Sequence, residues 1–215
     1  MIHACTDRMW YVEKYLIPSM LEQGIPRDEI TVWNDADKKG NLVSCMEAFR
    51  ECGKRDGGTW HLQDDVLICR DFAQRTKENE DGVVCGFMCR YFQTNLTSYG
   101  KHSIRRMWYS FQCIRIPNEL AGECAEWFFS EAINDKEYEP KIKTKKFDDW
   151  FWLEFMKLHH NDMKVMNLKP NLVDHVDYLI GGSVVNKERT RRESRAFYFE
   201  DQDLVTKLGE QLRRR

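Results

Sequence analysis

The sequence has no run of about 18 apolar residues, the length a membrane-spanning helix demands, so no membrane partner is expected. Its charge is nearly balanced: 33 basic against 35 acidic residues leave a formal net charge of -2. No global field draws nucleic acid to it, and an anionic partner would have to be met by local clusters. Its eight cysteines (Cys5, Cys45, Cys52, Cys69, Cys85, Cys89, Cys113, Cys124) include no C-x-x-C pair and are scattered through apolar segments. They read as reduced packing residues rather than a zinc or disulfide framework. No repeat or low-complexity tract occurs, and the opening MIHACTDR turns polar too soon for a signal peptide, so the expected compartment is the cytoplasm. Aromatics, by contrast, are plentiful. Seven Trp, eight Tyr and twelve Phe suit a core, or a platform for planar rings and sugars.

The 215 residues fit one α/β domain with a real core. Strand and helix signals alternate through the first half. A short apolar run over 2–5 precedes a helical stretch over 9–23 with Val12, Tyr15, Leu16 and Met20 on one face, stopped by Gly24 and Pro26. A strand over 29–33, the turn-rich NDADKKGN and a helix over 42–52 ended by Gly53 follow. The third strand, 59–62, runs directly into Gln63, Asp64 and Asp65 before a helix-compatible segment over 69–77. This order predicts a parallel sheet with the acidic pair at a strand's carboxyl end, where open α/β sheets bind ligands. Strands are expected over 82–92 and 108–116, helices over 119–132 and 148–160, a mobile Lys-rich loop over 137–146, and a helical finish over 203–215.

Three constellations carry candidate chemistry. In WHLQDDVLI, Asp64 and Asp65 offer hard carboxylate oxygens suited to Mg²⁺ or Mn²⁺, which in turn neutralises a diphosphate; the competing reading is a helix N-cap. In PNLVDHVDYLIGGS, His175 lies between Asp174 and Asp177 in an apolar stretch, as a metal ligand or as a structural residue. In KKFDDWFWLEF, Asp148 and Asp149 precede an aromatic helix, where one carboxylate could act as general base and the other cap the helix.

In order as well as in type, residues 2–185 resemble the GT-A family of metal-dependent glycosyltransferases. LQDDV is similar to the family's Asp-Asp motif, with Gln63 where Glu is frequent; FDDWFWLEF is similar to its catalytic-base segment, PNLVDH to its C-terminal metal-ligating histidine, and WYSFQCIRIPNELAGECAEWF to its acceptor-side strand and helix. The resemblance implies a single-domain α/β fold of GT-A (Rossmann-like) type, a mixed, mostly parallel central sheet flanked by helices, with residues 186–215 as a basic C-terminal extension packing on the same domain. It implies nucleotide contacts from Thr6, Asp7 and Arg8 after the first strand, from Asp35 after the second, and from Gly40 and Asn41, with Ser44 in the same stretch. Asp65 and His175 become the metal ligands, Asp64 a ribose or metal contact, Arg8 a phosphate or base contact, and Asp149 or Asp148 the base.

The activity so implied is sugar transfer from a nucleotide-sugar, by analogy a UDP-sugar, through an oxocarbenium-like state while Mn²⁺ or Mg²⁺ offsets charge building on the diphosphate. A general base would make the reaction inverting, with retention left open. Compact phage-encoded transferases of similar build suggest hydroxymethylated pyrimidines in DNA as the acceptor. Lys141, Lys143, Lys145, Lys146 and Lys187, Arg189, Arg191, Arg192, Arg195 would then hold the backbone, and Trp108, Tyr109 or Trp150 would stack on an extruded base. The alternatives are a protein, glycan or lipid-linked acceptor, a non-catalytic nucleotide-sugar binding protein, and a metal-dependent nuclease with more acids around two metals.

Overall fold

The computed structural model describes residues 1–87, 100–103, 111–145, 147–181 and 199–214. β1 (Ile2–Ala4) leads through a 3-10 turn (Thr6–Arg8) into α1 (Met9–Tyr11), a π-helical turn (Val12–Leu16) and α2 (Ile17–Glu22), three pieces of one helical rod. A 3-10 turn (Arg27–Glu29) takes the first half of the strand expected over 29–33, and β2 (Val32–Asn34) is correspondingly short. α3 (Asn41–Cys52) then leads to β3 (Gly58–Gln63) and β4 (Val66–Ile68). The helix expected over 69–77 begins only at Phe72, as α4 (Phe72–Lys77).

β5 (Val83–Cys85), β6 (Gly100–Ser103) and β7 (Cys113–Pro117) follow, and β7 starts later and ends beyond the strand expected over 108–116. α5 (Asn118–Ser130), α6 (Tyr138–Lys145), α7 (Asp148–His159), β8 (Lys164–Asn167), β9 (Val173–His175), α8 (Asp177–Ile180) and α9 (Gln202–Arg213) complete the chain.

One seven-stranded sheet runs β2-β1-β3-β7-β5-β8-β6. β1, β2, β3, β5 and β8 share one direction, while β7 and β6 oppose it. The architecture is therefore a mixed, mostly parallel sheet flanked by helices. β4 and β9 form a separate antiparallel pair that sets Val66 opposite His175.

Each face of the sheet carries its own core. On one, Leu42, Cys45, Met46, Phe49 and Cys52 form the buried stripe of α3 and pack with Leu120, Ala121, Cys124 and Phe128 of α5. A Cβ on Gly53 would lie 2.6 Å from the Gly122 Cα, so this contact requires glycine. α7 is buried nearly all round, Phe151 and Trp152 both at 0 % exposure. His3 and His61 meet at 2.8 Å beside Phe49, and burial holds both imidazoles well below their ordinary pKa. On the other face, Tyr11, Val12, Leu16 and Met20 pack with Ile2, Val66, Val173, Val205 and Leu208. Arg70 pairs with Asp201 and Asp203, docking the start of α9.

Two further expectations change. The mobile loop over 137–146 is α6 as far as Lys145: Asp135 accepts the Glu137 and Tyr138 amides, and Lys141–Glu137 and Lys143–Glu139 pairs lace its exposed face. Trp150 is 5 % exposed and serves the core rather than a stacking platform. Trp108, Tyr109, Lys146 and the basic run Lys187, Arg189, Arg191, Arg192 and Arg195 lie outside the described residues. All seven described cysteines are free thiols and six are buried, as packing residues should be. Among the described residues no helix is long and apolar enough to cross a membrane.

Candidate active site

Parallel pairing of β1, β2 and β3 brings three loops to one edge of the sheet: residues 5–8 after β1, 35–40 after β2, and Asp64–Asp65 after β3. No helix follows Asp64 and Asp65. They form the turn between β3 and β4, which removes the N-cap reading, and they are 2 % and 3 % exposed. Two buried carboxylates side by side need compensation. It comes from Arg8, whose guanidinium forks across both, Nη2 to Asp64 Oδ1 at 2.9 Å and Nη1 to Asp65 Oδ2. The Cys5 amide donates to Asp64 Oδ2 at 2.7 Å, and Arg8 Nε–H to Cys5 Sγ at 3.2 Å.

β9 delivers the next member. His175 Nε2 lies 3.2 Å from Asp65 Oδ2, and the Val176 amide donates to the Asp65 carbonyl at 2.8 Å. The Tyr11 hydroxyl donates to the Val66 carbonyl at 2.9 Å, tying the helical rod to the same turn. Burial alone would raise Asp65, but His175 and Arg8 hold it well below the ordinary carboxylate range. Asp64 behaves differently: burial first, and then the Asp65 charge, push it up to about 6. Of the two, Asp65 therefore keeps its charge to lower pH. The two acids raise Arg8 in turn and keep it firmly cationic.

Asp65 and His175 fit a hard divalent cation in one respect. Asp65 Oδ1 is buried with no hydrogen-bond partner, an acceptor left over beside an imidazole nitrogen. Among the described residues no cluster of three or more His, Cys, Asp or Glu side chains is arranged to hold a metal. A cation here would draw its remaining oxygens from a diphosphate, as hard ions in phosphate sites do.

The second acidic pair opens α7, with Phe147 rather than either acid at the N-cap. Asp148, 3 % exposed, accepts the Asp149 amide at 2.9 Å, and the neutral side chains of Asn41 and Gln63 lie near enough to favour its charged form. Since Gln63 precedes Asp64, this pair reaches the same edge of the sheet. Burial raises Asp148 above the usual range; burial and the Asp148 charge push Asp149 up to about 7.

Asp35 shapes its loop, accepting the Lys39 and Gly40 amides at 2.8 and 2.9 Å, and Gly40 has φ +93°, which favours glycine. The Thr6 hydroxyl lies 3.4 Å from Asn34 Oδ1 and from the Asp35 carbonyl, while Asp7 is exposed and Asn41 begins α3. Sequence reasoning overlooked Gln112, whose Nε2 donates to Gln63 Oε1 at 3.0 Å. Nothing in FQCIRIP marks it; antiparallel insertion of β7 beside β3 brings it there. No protein-family model matches the chain, and no curated protein matches it either.

Proposed function

We propose that the chain is a divalent-metal-dependent glycosyltransferase of the GT-A type that takes its sugar from a nucleotide-sugar, by analogy a UDP-sugar. One observation carries the reading: Asp64 and Asp65 are buried at the carboxyl end of β3, with His175 on Asp65 and Asp65 Oδ1 unpartnered. The loops of Thr6, Asp7 and Arg8, and of Asp35, Gly40 and Asn41, border the same edge, in keeping with a nucleotide seat.

In this mechanism Asp65 and His175 would hold Mn²⁺ or Mg²⁺, which would supply Lewis-acid stabilisation of the leaving diphosphate. Arg8 adds a fixed positive charge toward the phosphates, and Asp64, held by the Cys5 amide, is left for a ribose or metal contact. Asp149, half-buried and with its pKa near neutral, takes the proton from the acceptor hydroxyl. The acceptor oxygen forms its bond to the anomeric carbon as the bond from that carbon to the diphosphate breaks. The electron pair leaves with the nucleoside diphosphate, and configuration inverts.

Hydroxymethylated pyrimidines in DNA remain the proposed acceptor, with the host cytoplasm as the setting. A protein, glycan or lipid-linked acceptor is the second reading. It is favoured by the pairing of Lys141 and Lys143 with Glu137 and Glu139, which spends their charge within α6. Calorimetry with UDP and Mn²⁺ tests the donor site. Asp65→Asn should abolish the Mn²⁺-dependent part of UDP affinity, and undiminished affinity removes the proposal. Mass spectrometry of hydroxymethylated and unmodified DNA incubated with a panel of nucleotide-sugars then decides between the acceptors.

A further inference from the structure

Arg8 engages all three nitrogens of its guanidinium inside the candidate site. Nε–H donates to Cys5 Sγ at 3.2 Å, Nη2 pairs with Asp64 Oδ1 at 2.9 Å, and Nη1 pairs with Asp65 Oδ2, which leaves the side chain 16 % exposed. The acids are engaged almost as fully. Asp64 Oδ2 takes the Cys5 amide at 2.7 Å, and Asp65 Oδ2 also lies 3.2 Å from His175 Nε2. Of the four carboxylate oxygens, only Asp65 Oδ1 is buried with no hydrogen-bond partner. Among the described residues no other lysine or arginine pairs with either acid.

Two carboxylates that are 2 % and 3 % exposed need a cation, and Arg8 provides one from within the chain. A divalent ion seated on the same pair would meet the guanidinium there, with a positive charge a few ångströms away. Like charges repel strongly over that distance where water is largely excluded, so the two cations weaken each other's hold on the acids. Asp65 Oδ1 gives such an ion a first ligand that Arg8 does not use.

Resting on the metal site proposed above, we infer that Arg8 is an internal counter-cation of the Asp64–Asp65 pair that competes with a divalent ion for these acids and holds down its affinity. Cys5 is a positioning residue in this arrangement: its Sγ fixes the Nε edge of the guanidinium while its amide fixes Asp64. Arg8 closes the 3-10 turn Thr6–Arg8 in the loop after β1, on the edge of the sheet where a nucleotide would lie. On the transferase reading, the diphosphate is the anion that takes the displaced guanidinium. The charge of Arg8 stays in the site whichever partner it holds.

The test measures Mn²⁺ binding to the full chain through loss of the free-ion electron paramagnetic resonance signal, at pH 8 and with no nucleotide present. Arg8→Ala should bind Mn²⁺ at least about tenfold more tightly than the wild type, a lower bound for removing a unit positive charge a few ångströms from a divalent ion. The gain should vanish in the double variant Arg8→Ala, Asp65→Asn, which places the ion on Asp65. Arg8→Lys keeps the charge and should gain less than Arg8→Ala. Cys5→Ala leaves both ion pairs in place and removes only the Sγ acceptor, so affinity should rise by roughly two- to tenfold, the worth of one hydrogen bond. Cys5 is only half-buried, and this variant carries the test if Arg8→Ala does not fold.

Mn²⁺ affinity that is unchanged or weaker in Arg8→Ala, or in Cys5→Ala where Arg8→Ala does not fold, would overturn the inference. A guanidinium that merely orders the acids would lose the ion along with them. A gain that survives Asp65→Asn, or that Arg8→Lys matches, would overturn it as well. Tighter binding in Arg8→Ala beside no change in Cys5→Ala would remove Cys5 from the arrangement. UDP binding by the wild type is a separate measurement: its absence removes the transferase reading and leaves the competition between Arg8 and Mn²⁺ to be judged on the metal alone.

Discussion

Two pairs of adjacent aspartates, Asp64–Asp65 and Asp148–Asp149, come to the same edge of the sheet, and the structure handles their charges in opposite ways. The first pair is met by cationic and imidazole groups. Arg8 spans both acids and His175 touches Asp65, so one carboxylate is held strongly acidic although it is 3 % exposed. Among the described residues the second pair meets backbone amides and the neutral side chains of Asn41 and Gln63, with no counter-charge. Both of its members are raised, Asp149 to about 7. Burial penalises a carboxylate wherever it occurs; Arg8 and His175 together outweigh it at Asp65, while at Asp64 the neighbouring Asp65 charge adds to it. A pair with one carboxylate held firmly charged suits holding cations and phosphates, and a pair with one proton poised near neutrality suits proton transfer.

The contrast can be broken at either end. The largest effect is expected from Asp149→Asn, which should lower steady-state UDP release from a UDP-sugar with Mn²⁺ by about two to four orders of magnitude, the usual worth of a general base. UDP affinity by calorimetry should not change. Turnover that survives in both Asp149→Asn and Asp148→Asn would take the base out of this segment.

Arg8→Ala strips the counter-charge from the first pair. At pH 8 it should cost about 3–5 kcal/mol in denaturant unfolding, the scale of breaking a buried ion pair from one side. Without Arg8 the folded-state pKa values of Asp64 and Asp65 rise. A carboxylate raised above its unfolded value favours the fold at low pH and disfavours it as pH climbs, so the deficit should narrow toward pH 5. A deficit that is flat with pH would mean that Arg8 contributes by packing rather than by charge.

His175→Ala sharpens the donor side alone. Mn²⁺-dependent UDP affinity should fall about ten- to a hundredfold, as for contacts that support a metal, while UDP binding without Mn²⁺ stays unchanged. Normal affinity together with a much lower melting temperature would make His175 structural. The smallest effect has the opposite sign to that of Arg8→Ala. The folded pKa of Asp149, about 7, exceeds its unfolded value, so its charge opposes the fold above neutrality and has little influence near pH 4. Asp149→Asn should therefore raise the melting temperature at pH 8 by roughly 2–4 °C and leave it nearly unchanged at pH 4. A lower melting temperature at pH 8 would put Asp149 with the first pair, as a stabilising charge.

What could be read along the chain was whatever a local pattern encodes. α3, α5 and α7 were located to within a residue or two because apolar spacing reports a helix face directly, and the end of β3 was marked by the change from WHL to QDD. α6 was misread because its exposed face is held by Lys–Glu pairs, and among its described side chains only Ile142 is buried. The acids themselves were legible as residue types, but not their charge states. Arg8 reaches Asp65 across 57 positions, His175 arrives through a β4–β9 ladder, and Gln112 is set beside Gln63 by the antiparallel strand that follows it. A carboxylate's charge depends on groups a few ångströms away in space, which may be distant in the chain, so its chemistry is settled by the pairing of strands. The sequence alone determined which edge of the sheet would be acidic, and the tertiary structure decided which of its four aspartates has a counter-charge.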